Sequence, residues 1–146
     1  MEGTANSIVT NTLAVADYVI VPMQGSPLDA RHGLRAIKLA RTAEKVSRRR
    51  IPTSVVMTNT GAAVKTRDFR AITNELAAAG VSVFDTTIVS RAAYRALFAY
   101  KMPLDALDRK AIPGIDAAQK NALDFATEVR DWMRAEQKKG LTYVAA

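Results

Sequence analysis

A chain of 146 residues with 49% apolar and 24% charged positions has the composition of one ordinary globular domain and excludes a disordered or Pro-rich chain. The absence of cysteine and the presence of one histidine exclude disulfides, thiolate nucleophiles, Cys-based zinc or iron–sulfur centres and His-cluster metal sites. The net charge of +7 sits entirely in residues 31–50, where eight basic residues face Glu44 alone and the rest of the chain balances at thirteen against thirteen.

The opening Met1-Glu2-Gly3-Thr4 has neither the basic nor the apolar segment of a secretion signal. The apolar run 15–23 is interrupted by Asp17 and too short to cross a bilayer, so a cytoplasmic chain is expected. Asn6 to Ala16 reads as a helix with Ile8, Leu13 and Val15 as its apolar surface. Tyr18-Val19-Ile20-Val21 reads as a short strand buried on both faces, closed by Pro22 and the cluster Gln24-Gly25-Ser26-Pro27. Ser26 as N-cap, Pro27 at the first helical position and Asp29 at the third then predict a capping box.

That cap opens a long helix to about Arg49, with Leu34, Ile37, Ala40, Ala43 and Val46 as its buried stripe. Arg31, Arg35, Lys38, Arg41, Lys45 and Arg48 step by four, three, three, four and three, which keeps them on one broad face. A strand over Thr53–Thr58 and a loop at Asn59-Thr60-Gly61 follow, then a helix from Thr66 to Ala79 ended by Gly80. Val81 to Ile88 reads as a third strand, and Ser90 as the cap of a helix containing Tyr94, Leu97 and Phe98 that stops before Pro103. After a loop with Pro113-Gly114, Asp116 to Lys139 forms the last helix, with Ala118, Ala122, Phe125, Val129 and Trp132 on one face.

Strands alternating with helices predict an α/β fold with a doubly wound, mostly parallel sheet and ligand loops at the carboxyl ends of the strands: 22–27, 59–65 and 86–90. Three strands are few for such a sheet, which reads as incomplete. An incomplete sheet leaves an edge and apolar helix faces uncovered, so self-association is expected.

Phosphate-binding motifs are the first to test in this architecture. Gly61-Ala62-Ala63-Val64-Lys65-Thr66 has the strand-to-helix setting and the Lys-Thr pair of a P-loop, but lacks its second glycine, so no complete P-loop is present. His32 has no partner acid or nucleophile at a useful spacing. Asp105, Asp108 and Asp116 lack ligand-like spacing and read as solvated loop charges. No Ser-His-Asp set is identifiable.

The order Tyr18-Val-Ile-Val-Pro-Met-Gln-Gly-Ser, a long helix, then Ser54-Val-Val-Met-Thr-Asn resembles the second half of the ParA/MinD-type partition ATPases. Val83-Phe-Asp-Thr-Thr-Ile-Val-Ser-Arg-Ala-Ala-Tyr is similar to the late strand and following helix of that family, and Glu2-Gly3-Thr4-Ala5-Asn6 to the residues after its Walker-B-like Asp. The resemblance covers nearly the whole chain through individually soft motifs in the right order. It implies the C-terminal portion of a P-loop-NTPase-like fold, an incomplete sheet without the half that carries the Walker A lysine and the Walker-B-like Asp. Whether such a chain hydrolyses ATP is left open. By the same resemblance Gly3 matches the glycine near the γ-phosphate, Asn59 the Asn that reads the adenine edge, and Thr86, Thr87 and Ile88 the segment flanking the base. The cofactors implied are ATP and Mg2+, held weakly by this portion alone. The partners implied are non-specific DNA, a ParB-like protein and a second copy in a homodimer, in plasmid partition or chromosome segregation, with no membrane.

The basic face carries its own reading. Lys and Arg on one helix face can neutralise duplex phosphates without sequence preference, and the scarcity of aromatics in 31–50 argues against single-strand stacking. Arg91, Arg95, Arg130 and Arg134 are candidates for a second patch. Two alternatives stand beside it: the solvated face of an amphipathic helix, and a small α/β protein-interaction module without nucleotide function.

Overall fold

The computed structural model describes residues 2–61 and 67–144, and among them it shows an α/β fold with a parallel-dominated sheet flanked by helices. The chain divides into two compact units, one made of Met1–Val56 with Thr66–Val83, the other of Met57–Lys65 with Phe84–Ala146.

The first unit contains α1 (Glu2–Val15), β1 (Val19–Gln24), α2 (Pro27–Ser47), the start of β2 (Thr53–Thr60), α3 (Arg67–Ala78) and β3 (Ser82–Val83). The strands lie in the order β1-β2-β3, with Ser54 and Val55 paired in parallel to Ser82 and Val83. β2 is buried from Ser54 to Met57, the continuous burial of a parallel strand covered on both faces. Buried Ser54 meets its polar requirement through the Ser82 hydroxyl at 3.1 Å. Pro22 does not end β1, as expected from its lack of an N–H; the strand runs on to Gln24. Among the described residues β1 has a strand neighbour on one side only, and an edge strand tolerates a residue without a donor.

α2 packs on α1, β1 and α3. Ser26 caps it as expected, Oγ accepting from the Asp29 amide at 3.2 Å, but in place of the reciprocal backbone bond of a capping box the Ser26 hydroxyl donates to the Asp29 carboxylate at 2.9 Å, with Pro27 in the first turn. Replacing Ser26 with Ala is expected to cost about 1 kcal/mol of stability, measurable by urea titration. The buried seam is Ala30, Gly33, Ile37, Ala40 and Ala43, so two of the predicted stripe positions are corrected. Leu34 is half-buried and Val46 is 69% exposed, because the seam continues from Ala43 through half-buried Ser47. The helix ends at Arg48, whose φ of 51° is left-handed and whose N–H bonds the Glu44 carbonyl. Glycine adopts this conformation without strain, so Arg48→Gly is expected to gain about 1 kcal/mol in thermal unfolding.

The second unit contains the end of β2, β4 (Ile88–Val89), α4 (Ala92–Tyr100), a short 3-10 turn (Leu104–Ala106) and α5 (Ile115–Val144). Its core joins Ala93 and Ala96 of α4 to Leu107, Ile112, Ile115 and Ala118. Buried Phe84 meets Phe125 and Trp132 of α5 edge-on, at 5.4 and 5.3 Å between ring centres, which accounts for the predicted apolar face of that helix.

Two expectations fail here where backbone amides are taken by partners distant in sequence. The third strand expected over 81–88 divides into β3 and β4, because the Asp85 and Thr86 amides donate to the Glu128 carboxylate instead of to a strand. Ser90 does not cap α4: it lies one residue before the cap position, with its amide on the Thr60 carbonyl at 2.9 Å, and the cap falls on Arg91, which makes no side-chain capping bond. α5 also outruns its expected end at Lys139, because Gly140 alone weakens a helix without stopping it.

Candidate functional site

Asn59, near the end of β2, and Thr86, Thr87 and Ile88, at the entry to β4, all belong to the second unit, and the loop expected at Asn59-Thr60 is instead the end of β2. Thr58 pairs with Ile88 and Thr60 with Val89, and the register shifts between these pairs. Asn59 occupies the shift, exposed and at a φ of 54°, a left-handed conformation that Asn tolerates better than most residues. The extra residue interrupts the ladder at this point. The Thr60 and Thr87 hydroxyls are hydrogen-bonded at 2.9 Å and tie the end of β2 to the residue before β4.

Side chains of α5 hold the other edge of this loop cluster. Asn121 donates through Nδ2 to the Thr87 carbonyl at 2.8 Å and accepts the Val89 amide on Oδ1 at 3.0 Å. The two bonds reproduce what a neighbouring strand would offer. Glu128 accepts the Asp85 and Thr86 amides on its two oxygens at 2.7 and 2.8 Å. The Tyr94 hydroxyl bonds the Ala118 carbonyl at 2.8 Å and Asn121 Oδ1 at 3.2 Å. Burial raises the Tyr94 phenol above its ordinary value, with the nearby Arg91 charge partly opposing. Tyr94 therefore stays a donor at neutral pH, and the stability linked to it is complete below the phenol's ordinary value and is lost as pH rises from there through the raised one.

Sequence reasoning missed Asn121, Glu128 and Tyr94 as site residues. The available signal was spacing: Asn121, Phe125, Glu128 and Trp132 step by four, three and four, which puts two polar side chains on the apolar face of α5. Polar groups on such a face require partners.

Gly3 lies in the first turn of α1, in the other unit. Residues 62–66, which carry most of the near-match to a P-loop, fall outside the described residues. Among the described residues no group of three or more His, Cys, Asp or Glu side chains could hold a metal ion. The described residues thus present no ligand set for Mg2+.

On the first unit, Arg31, Arg35, Lys38, Arg41, Lys45 and Arg48 are all exposed. Arg41 has a structural task, donating to the Ala79 carbonyl at 3.1 Å near the end of α3. The other five make no side-chain hydrogen bond or ion pair among the described residues. Arg49, outside this set, pairs with Asp17 at 3.0 Å and bonds the Ala14 and Ala16 carbonyls at the end of α1, where a cation complements the helix dipole. His32 is exposed on α2.

In the second unit, Arg130 and Arg134 both face Asp131, at 2.9 and 4.0 Å. The hydrogen bond from Arg130 lowers the Asp131 carboxyl below its ordinary value. An ionised Asp131 offsets part of the charge that a second patch would offer. Asp116 belongs to the first turn of α5 and pairs with Arg109, while Asp108 accepts the Lys110 amide at 2.8 Å. Among the described residues no helix is long and apolar enough to cross a membrane.

No protein-family model matches the chain. The chain is 31% identical over 129 residues to Protein ParA of Rhizobium radiobacter, an alignment that covers 88% of this chain. It spans 58% of the length of that curated relative.

Proposed function

We propose, from its similarity to a ParA protein along most of its length, that this chain acts in plasmid or chromosome partition and binds duplex DNA non-specifically through α2. The observation that carries the DNA reading is the face of α2, where five exposed cations stand without partners among the described residues in the segment that holds the whole net charge. Cations already committed to internal ion pairs gain little from a phosphate, whereas free ones release counterions when they meet DNA.

The second part of the proposal is a base-side wall for a nucleotide. Asn59 at the register shift of β2, which pairs with the segment holding Thr86, Thr87 and Ile88, supports contact with the edge and face of an adenine ring. ATP with Mg2+ is the cofactor this family resemblance suggests, Gly3 being the residue that the resemblance matches to the glycine near the γ-phosphate. A ParB-like protein and a second copy of the chain are the proposed partners. Exposed Ile8, Val15, Leu28 and Val46 on the first unit and Phe98 and Tyr100 on the second offer apolar surface for such contacts.

The test is duplex-DNA binding by the 146-residue chain at low and moderate salt. Binding at low salt that falls linearly on a log–log salt plot supports the reading. No binding at low salt overturns it and leaves the basic face of α2 as a solvated surface.

A further inference from the structure

We infer that Asn121 and Glu128 of α5 are positioning residues that set the geometry of the loop 85–89, and through it the way Thr86, Thr87 and Ile88 meet an adenine ring; this rests on the nucleotide-wall reading above.

All four polar side-chain atoms of these two residues are spent on that one loop or its support. Asn121 uses Nδ2 on the Thr87 carbonyl and Oδ1 on the Val89 amide, and Glu128 uses one oxygen each on the Asp85 and Thr86 amides. Four of the loop's backbone groups thus depend on a single helix, and none of these four bonds is a strand-to-strand bond. The loop cannot shift along α5 without orphaning amides and carbonyls, each of which is costly when part-buried. Tyr94 fixes Asn121 in turn, through its bond to Oδ1. Meanwhile Phe84, just before the loop, is pinned between Phe125 and Trp132 of the same helix.

The arrangement also specifies which part of a nucleotide the loop can touch. Two successive amides at Asp85 and Thr86 would form an anion-binding concavity if they were free. Glu128 fills it with its own carboxylate. The loop is therefore closed to a phosphate oxygen and left with the Thr86 and Thr87 side chains and the apolar Ile88 to offer a ring.

The experiment is an amide-resolved NMR titration of the full 146-residue chain with ADP, beside inorganic phosphate, for wild type, Glu128→Ala and Glu128→Gln. In wild type, ADP shifts the Thr86–Ile88 amides and inorganic phosphate does not. In Glu128→Ala, exchange of the Asp85 and Thr86 amides speeds up by about tenfold or more while β2 keeps its protection, and the dissociation constant for ADP rises about tenfold. Glu128→Gln keeps one acceptor oxygen and falls between the two, a graded rescue that general loss of packing does not produce. Faster exchange with unchanged ADP affinity overturns the positioning role and leaves a merely structural clamp. Unchanged exchange overturns the clamp itself. No ADP binding by wild type overturns the nucleotide-wall reading and the positioning role with it, whatever the exchange rates show.

Discussion

Reversing the charge of Arg35 and Lys38 together (R35E/K38E) is expected to weaken duplex-DNA binding by roughly a hundredfold at low salt, and to lower the slope of log affinity against log salt by about two, close to one counterion for each lost phosphate contact. Both side chains are exposed on α2, and neither has a hydrogen bond or ion pair among the described residues, so their loss removes nothing that holds the fold. Arg41 is left in place deliberately. Its bond to the Ala79 carbonyl near the end of α3 would confuse a binding defect with a folding defect. Fluorescence anisotropy at two or more salt concentrations, with thermal unfolding of both proteins, separates the two. A double variant that binds as wild type does, with the same salt slope, removes α2 as the DNA surface.

The Gly33→Val variant is expected to lose about 3 kcal/mol of stability, near the upper end for overpacking a filled core. A Cβ on Gly33 would lie 2.0 Å from Met23 Cε and 3.4 Å from its Cγ and Sδ, and Met23 is only 2% exposed. The end of a methionine can swing away, but a side chain this buried has little free volume to swing into. The same crowding explains why a helix interior carries glycine despite its cost of about 1 kcal/mol against alanine. The control is the pair Met23→Ala with Gly33→Val, which removes the colliding thioether. Its destabilisation should be smaller than the sum of the two single variants by about 1 kcal/mol or more, the mark of residues in contact. Strict additivity in urea unfolding would show that Met23 is not what excludes a side chain at Gly33.

These two expectations show unequal debts to the sequence. The basic face was legible because charge on an exposed helix depends on spacing alone: steps of three and four put the six cations together whatever the helix packs on. The Ser26 cap was legible for a similar reason, since its partners lie within three residues. The Gly33–Met23 contact was not legible. It joins positions on different elements, and nothing in the spacing of α2 distinguishes a seam through Gly33 and Ser47 from one through Leu34 and Val46.

The candidate site divides along the same line. Asn59 and the segment Thr86-Thr87-Ile88 could be singled out by family resemblance, and β2 could be located from its β-branched run, although it runs to Thr60 and not to the expected Thr58. Missing from any local pattern was the pull of α5 on residues 85–89. Val81 to Ile88 has the composition of one strand, yet its middle leaves the ladder because Glu128, more than forty residues away in sequence, takes the Asp85 and Thr86 amides.

Element types, the capping of α2 and the placing of the charge depend on interactions a few residues long, and these were readable in the amino-acid order. Which face each helix buries, where β3 stops and β4 begins, and which side chains hold the loop that follows were set by long-range partners. Backbone donors and acceptors must be satisfied, and when a distant carboxylate or carboxamide satisfies them better than a neighbouring strand, the local pattern gives way.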